Sequence, residues 1–249
     1  MERSATTNEQ AVEKRDFYRL AGVAGAYEAQ RFGGASGAHV NARELALVCA
    51  LLPPGGPYAD IACGTGRLTS ALRRRGDVVL PCDSSLAMLR VAQRNRVGPV
   101  VQADAFALPI GDAGYAGAVT LRLLFHFADP APLLRELRRV VRPGGALVCD
   151  TYTWSARALL PLGRERWGAG VSTISRARFS VLAAACGWRV REERPCFLIS
   201  PYIYRRLPLP VVRLLERLER RLPAALLCRV FWRLEATGRS GVDHFGLCA

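Results

Sequence analysis

Between Tyr58 and Tyr152 short apolar runs alternate with segments whose apolar residues recur at helical spacing. The runs Tyr58–Ala62, Val78–Cys82, Pro99–Ala103, Ala118–Leu123 and Ala146–Cys149 predict strands. Leu68–Arg75, Leu86–Arg94 and Leu133–Val141 carry the pattern of amphipathic helices. Strands alternating with helices predict right-handed crossovers and a parallel sheet, a doubly wound α/β fold whose ligands lie beyond the carboxyl ends of the strands.

The flanks read differently. Phe17 to Leu52 predicts helix, ended by Pro53-Pro54-Gly55-Gly56. Downstream, Arg176–Cys186 predicts a helix, Gly187 its stop and Trp188–Glu192 a strand, with Pro195–Tyr204 a further strand candidate. Between Pro210 and Pro223, Val211, Leu214, Leu215, Leu218 and Leu222 share one helical face, with Arg213, Glu216, Arg217, Arg220 and Arg221 mostly opposite. This segment reads first as a core-facing helix, with a lid, a dimer surface or a peripheral membrane contact as alternatives. Helical spacing resumes over Leu226–Leu234. The expected organisation is an N-terminal helical segment over 1–52, an α/β core over 53–205 and a helical C-terminal extension over 206–249.

Composition narrows the class. A chain of 249 residues, half of them hydrophobic, is long enough for one large domain or a domain with a lid. No apolar run reaches the roughly eighteen residues of a membrane span, and Met1–Asp16 is polar and mixed in charge, so the expectation is a cytoplasmic protein, neither exported nor membrane-spanning. The eight cysteines form no CxxC pair and read as reduced thiols; with His39, His126 and His244 at no familiar ligand spacing, no structural metal is expected. The net charge of +14 is almost all arginine, Lys14 being the only lysine, and it is dispersed along the chain. Without a recognition motif, solvated surface is preferred to nucleic-acid binding.

Candidate chemistry concentrates in Asp60-Ile61-Ala62-Cys63-Gly64-Thr65-Gly66-Arg67, at the end of the first strand. Glycines at 64 and 66 permit a tight turn and close approach of backbone to a ligand. A dinucleotide fingerprint needs a third glycine where Thr69 stands, which argues against a pyrophosphate cofactor. The motif resembles the first motif of class I S-adenosylmethionine-dependent methyltransferases of the small-molecule type. Three more stretches resemble that family in order and spacing: Asp83-Ser84-Ser85 before Met88, Gln102-Ala103-Asp104-Ala105 ahead of Pro109, and Leu137–Leu147 around Pro143-Gly144-Gly145.

The resemblance implies a Rossmann-like, mostly parallel seven-stranded sheet whose last strand is antiparallel and formed by the C-terminal region. It implies S-adenosylmethionine as cofactor, with Asp60, Ala62, Gly64, Gly66 and Arg67 around its methionine end. Asp83 would lie at the ribose and Met88 and Asp104 at the adenine, with Ser84 and Ala105 as further cofactor-binding candidates. Asp83 also suits a helix cap, and Asp60 a turn or cap. Tyr27 and Arg31 match an N-terminal helix that folds over the cofactor, or are ordinary surface residues. Arg122, beyond Val119-Thr120-Leu121, is placed to meet the cofactor carboxylate or an acidic acceptor. His126 is the candidate general base, needed only where the acceptor must lose a proton. Tyr152, Thr153, Trp154, Phe197, Tyr202 and Tyr204 are candidates for the acceptor pocket.

The chain departs from the family at Tyr115-Ala116-Gly117, where many relatives have Phe-Asp before the fourth strand. The expected reaction is methyl transfer to an oxygen, nitrogen or carbon nucleophile of a small molecule. The alternatives are an RNA or DNA methyltransferase, against which the lack of an Asn-Pro-Pro-Tyr-like motif at Leu121–Leu124 weighs, and a non-catalytic cofactor-binding scaffold. The oligomeric state is left open.

Overall fold

The computed structural model describes residues 20–155 and 171–238. The start of the helix expected from Phe17 lies outside the described residues. From Leu20 on, that helix is two: α1 (Ala21–Phe32) and α2 (Gly34–Leu51). Gly33 is extended between them and Gly34 takes φ +72°, a left-handed conformation that breaks the hydrogen-bond ladder.

The elements that follow are β1 (Pro57–Ile61), α3 (Arg67–Arg74), β2 (Val78–Asp83), α4 (Leu86–Arg94), β3 (Val101–Gln102), β4 (Tyr115–Val119), α5 (Ala131–Val140), β5 (Val141–Tyr152), α6 (Arg176–Ala185), β6 (Trp188–Cys196), α7 (Pro201–Tyr204), α8 (Leu209–Glu219) and β7 (Arg229–Ala236). The strands form one seven-stranded sheet in the order β3-β2-β1-β4-β5-β7-β6. β1 to β5 pair in parallel, whereas β7 runs antiparallel between β5 and β6. The strand order reverses between β1 and β4, so crossovers leave the sheet on opposite faces there and open a crevice at the carboxyl ends.

Each face of the sheet carries its own core layer. Leu133, Leu134 and Leu137 of α5 and Phe179 and Ala183 of α6 pack with Ile61, Ala118, Leu147, Trp232 and Leu234. Val40, Val48 and Leu51 of α2, Leu68 and Leu72 of α3 and Val212 of α8 pack with Tyr58, Val79, Val119, Val148 and Phe231. Buried indole nitrogens find acceptors, Trp188 Nε1 on the Leu134 carbonyl at 2.9 Å and Trp232 Nε1 on Thr151 Oγ1 at 2.8 Å.

Three sequence expectations are corrected. The helical spacing over Leu226–Leu234 belongs to a short 3-10 turn (Ala224–Leu226) and to β7, a strand buried on both faces. Such a strand reads as a continuous apolar run that periodicity alone cannot separate from a helix. The C-terminal stretch is therefore woven into the sheet through β7. Pro195–Tyr204 is the end of β6 followed by α7, which Pro201 opens at a helix-starting position.

The helix of 211–222 is present as α8, but it does not turn its leucine face to the core. Val212 and Glu219 are buried while Val211, Leu214 and Leu218 are 40%, 53% and 43% exposed. Glu219 and Glu216 point instead at Arg43 and His39 of α2, with His39 Nε2 at 3.0 Å from Glu216 Oε2 and Arg43 paired with both carboxylates. Tyr204 Oη donates to Glu219 as well. A buried carboxylate needs such partners, and satisfying them sets the rotation of the helix.

Candidate functional site at the carboxyl ends of the strands

From β1 the chain turns through Ala62 (φ +58°), Gly64 (φ +57°) and Gly66 (φ +80°) into α3. A Cβ at Gly64 would meet nothing within 4 Å, so this side of the loop is open; one at Gly66 would lie 2.4 Å from Cγ2 of Val97. Gly66→Ala is therefore expected to lower stability by about 2–4 kcal/mol through overpacking and left-handed strain, read as a lower thermal midpoint. Thr65 Oγ1 in the same loop is buried without a hydrogen-bond partner. An orphaned buried hydroxyl at an open loop is a polar group placed for a ligand.

Asp83, at the end of β2, closes the loop. Its Oδ2 accepts from the Gly64 N–H at 2.8 Å and its Oδ1 from the Ser85 N–H at 2.8 Å. Each oxygen keeps a lone pair for a further donor. Burial pushes this carboxyl above the usual range, and the Ser85 and Gly64 N–H groups oppose the rise. The capping role expected of Asp83 falls to Ser85, whose Oγ accepts from the Met88 N–H at 3.2 Å and opens α4. Ser84 is half-buried, its carbonyl accepting from Gln102 Nε2 at 3.3 Å. Met88 is buried behind the cap. Asp104, two residues beyond the end of β3, is exposed and takes the Phe106 N–H on Oδ1 at 3.0 Å; Ala105 next to it is half-buried.

Asp60 is 1% exposed and sits beneath the loop, not in its mouth. Thr69 Oγ1, from the first turn of α3, donates to its Oδ2 at 2.5 Å. The threonine that stands where a dinucleotide fingerprint has glycine thus ties α3 to β1. Burial, with a smaller push from Asp83, raises the Asp60 carboxyl to about 7, against the lowering hydrogen bond of Thr69. A folded-state value above the unfolded one favours the neutral acid, so this stabilisation is full below pH about 4 and is lost as pH rises through about 7. Asp60→Asn, which keeps an acceptor for Thr69, is expected to flatten the stability profile between pH 5 and pH 8 by up to about 3 kcal/mol. Urea unfolding of both proteins across that window checks it.

Beyond β4 the chain bends at Arg122, a non-glycine residue at φ +63°. That bend ends β4 at Val119, earlier than the expected Leu123. The Arg122 N–H is held by Asp150 Oδ1 at 2.7 Å, and its guanidinium reaches Glu44 Oε1 at 2.6 Å. Arg67 reaches Glu44 Oε2 at 3.0 Å and Asn41 Oδ1 at 2.5 Å. Arg229, at the start of β7 and fully buried, pairs with the same Glu44 and donates from Nε to Asp150 Oδ2 at 2.8 Å. Three guanidinium groups thus meet two carboxylates at the carboxyl ends of β4 and β5, leaving positive charge in excess. The arginines hold the Glu44 carboxyl far below its usual range despite burial. Arg122 Nε and Arg229 Nη2 are buried without a hydrogen-bond partner. Arg122, expected to meet the cofactor carboxylate or an acidic acceptor, and Arg67, expected at the methionine end, are thus both anchored on Glu44, with the Arg122 Nε and Arg229 Nη2 donors over.

The N-terminal helices complete the enclosure. Phe32, at the end of α1, lies under both Arg67 and Arg122, whose Cζ atoms are 4.3 Å and 4.8 Å from its ring centroid. Tyr27 is 5.6 Å from Arg31 in the same sense, and Arg31 stacks on Tyr202 of α7 at 4.2 Å. Tyr27 and Arg31 are thereby brought to the flank of the loop. His126 lies in a 3-10 turn (Leu124–His126) after β4, its ring 4.7 Å from Phe125, which packs 4.9 Å from Tyr152. Trp154 Nε1 and Thr153 Oγ1 donate to the carbonyls of Leu226 and Leu227 at 3.2 Å and 2.9 Å. Phe197 and Tyr204 are wholly buried, so they belong to the core and not to a pocket wall.

Sequence reasoning missed Glu44, Asp150 and Arg229. Glu44 lies four residues from Val40 and from Val48 on the buried stripe of α2, and a charge there was the available signal. Asp150 and Arg229 stand inside apolar strands and carried the same mark. Ala116, where the resemblance led to an expected acid, lines a small cleft with Pro53, Gly56, Arg142 and Arg233 at the amino ends of the strands. That departure is at the opposite end of the strands from the glycine loop.

Fold and site together define a doubly wound α/β domain with a ligand loop after β1, an acid closing it from β2, and a crevice at the switch point. Residues 59–149 match the family model described as a methyltransferase domain. Over that stretch, 91 of its 249 residues, the chain resembles methyltransferase domains. It is 44% identical over 101 residues to a demethylmenaquinone methyltransferase of Corynebacterium kroppenstedtii, covering 40% of this chain and 44% of that protein. It is 36% identical over 121 residues to a malonyl-[acyl-carrier protein] O-methyltransferase of Pseudescherichia vulneris, covering 48% and 47%. The matches thus span about half the length of these curated relatives. A magnesium protoporphyrin IX methyltransferase from Synechocystis PCC 6803, solved with bound SAH, superposes with TM-score 0.64 at 14% identity over 92% of this chain and all of that one, which shows the shared fold. No helix among the described residues is long and apolar enough to cross a membrane.

Proposed function

We propose that the chain transfers a methyl group from S-adenosylmethionine to an oxygen, nitrogen or carbon nucleophile of a small-molecule acceptor. The observation that carries this reading is the Asp83 carboxylate joined to the Gly64 N–H across an open loop that holds the orphaned Thr65 hydroxyl. The fit is chemical: a carboxylate with spare lone pairs suits a ribose diol, and no third glycine invites a pyrophosphate. Bound there, the cofactor supplies an electrophilic methyl carbon on a sulfonium. Asp83 would take the ribose hydroxyls, with Ser84, Met88, Asp104 and Ala105 toward the adenine. The loop, with Ala62 and Gly64, would lie along the methionine portion, while Tyr27 and Arg31 flank it from α1. The surplus positive charge of Arg67, Arg122 and Arg229 over Glu44 and Asp150 favours an anionic group at the crevice, through the spare donors on Arg122 and Arg229.

His126 would accept the acceptor's proton at its imidazole as the nucleophile attacks. Enclosure by α1 and α2 holds the reactants in line, which supplies much of the rate in a reaction with few proton transfers. His126→Asn is expected to lower kcat with a hydroxyl acceptor by roughly 10²–10⁴-fold while cofactor affinity holds. The test of the whole reading is release of S-adenosylhomocysteine when purified protein and S-adenosylmethionine meet a panel of quinols, phenols, amines and carboxylic acids. Turnover with one class assigns the acceptor; none with any, in a protein that binds cofactor, favours a scaffold. The names of the two curated relatives put quinol-type and acyl-carrier-bound carboxylate acceptors first in that panel.

A further inference from the structure

α8 is amphipathic, yet the fold uses it inside out. Its inward side is held by acids, Glu216 on His39 and Arg43, and Glu219 on Arg43, Tyr204 and the Leu198 N–H at 3.2 Å. Glu219, with 2% of its side chain accessible, cannot be turned outward without stranding the charge of Arg43. Val212 and Leu215 share the inward side. The outward side is left with Val211, Leu214 and Leu218, each 40–53% exposed, while Ile203 before the helix and Leu226 after it are 43% and 48% exposed.

Among the described residues of α8 and its two ends, the exposed charges are of one sign. Arg213, Arg217 and Arg220 on α8 and Arg221 just beyond it are exposed, as is Arg206 ahead of it. Both glutamates of the helix are on the inward side, so no carboxylate of α8 faces the stripe. At 100° per residue the arginines at 213, 217, 220 and 221 flank Val211, Leu214 and Leu218 along one edge. Scattered exposed apolar residues need no explanation, but five large ones around one helix with an all-basic border do. A protein partner would have to match both a leucine stripe and an arginine border. An anionic bilayer does so generically, the acyl boundary receiving the leucines and the headgroup phosphates the arginines.

We propose that α8, with the residues at its two ends, is a peripheral docking surface for anionic lipid. The rotation of α8 is fixed by its acid contacts to α2, so the docking face is preformed. α2 also carries Glu44, and α7 stacks Tyr202 on Arg31, so a docked chain has the helices that enclose the crevice beside the lipid surface. The proposal stands on exposure and charge and does not depend on methyl transfer.

The test is flotation of the full chain with vesicles of equimolar phosphatidylcholine and phosphatidylglycerol, and with phosphatidylcholine alone. The wild type is expected to float with the anionic vesicles and stay behind with the neutral ones. The pair Leu214→Asp with Leu218→Asp should abolish flotation. The triple variant Arg213→Gln, Arg217→Gln, Arg220→Gln should weaken binding roughly 100-fold, at about fivefold per arginine at the surface. Calorimetry with S-adenosylhomocysteine on each variant, together with its thermal midpoint, reports folding separately from docking. Failure of folded wild type to float overturns the proposal, whether or not it binds that ligand. So does undiminished flotation of the Leu214→Asp, Leu218→Asp variant, which would assign binding to net charge alone. A wild-type dimer in light scattering that becomes a monomer in that same variant, without flotation, would give the face to a second copy of the chain and likewise overturn it.

Discussion

Glu44→Ala is expected to destabilise the protein by about 3–5 kcal/mol, the loss typical of breaking a buried charge network by removing one partner. The residue is wholly buried and holds Arg67, Arg122 and Arg229 at once, from three different places in the fold. Without it, Arg67 and Arg122 lose their paired carboxylate and Arg229 keeps only Asp150. For a chain of this size the change should lower the thermal midpoint by roughly 6–20 °C. Glu44→Gln, which keeps an acceptor oxygen but not the charge, should recover part of the loss. Differential scanning calorimetry of the three proteins decides the matter; equal midpoints would mean that α2 is held by its apolar stripe alone.

The second large effect belongs to ligand binding. Asp83→Ala removes the acceptor for the Gly64 and Ser85 N–H groups as well as the proposed ribose partner. Hydrogen bonds to a charged group contribute about 1.5–3 kcal/mol each, so affinity for S-adenosylhomocysteine should fall at least roughly 100-fold. Asp83→Asn should fall between the two. Calorimetric titration measures both, with circular dichroism showing that the variants remain folded. A loss below about threefold would remove Asp83 from the binding site.

The sequence made the left half of the sheet legible because each parallel strand there is a short apolar run bounded by a turn and followed by an amphipathic helix. Val78–Cys82 and Leu86–Arg94 agree with β2 and α4 to within a residue. Legibility failed where burial is two-sided or the ladder is broken by a single residue. β7 is packed on both faces, so its apolar run imitated a helix; α1 and α2 looked continuous because the break lies in the dihedral angles of Gly33 and Gly34. α8 showed its two faces in the sequence, but which one turns inward is decided by His39 and Arg43, more than 170 residues away.

The candidate site divides the same way. The loop and its acid, Gly64, Gly66 and Asp83, are local motifs whose geometry follows from strand-to-turn-to-helix order, and the structure brings them together. The charge network could not be read locally. Glu44 and Arg229 are 185 residues apart and meet only because β7 inserts beside β5, where Asp150 ends its run. A lone charge within an apolar stripe announces a buried partner without naming it. The same topology anchors Arg67 and Arg122, two of the cofactor-binding candidates, on Glu44.

Whether the glycine loop and Asp83 hold S-adenosylmethionine is read most directly by calorimetric titration of the wild-type chain with S-adenosylmethionine and S-adenosylhomocysteine. The expected result is saturable one-site binding of both in the micromolar range, about −8 kcal/mol. Folded protein that takes up neither ligand, even at roughly millimolar concentration, would contradict the account.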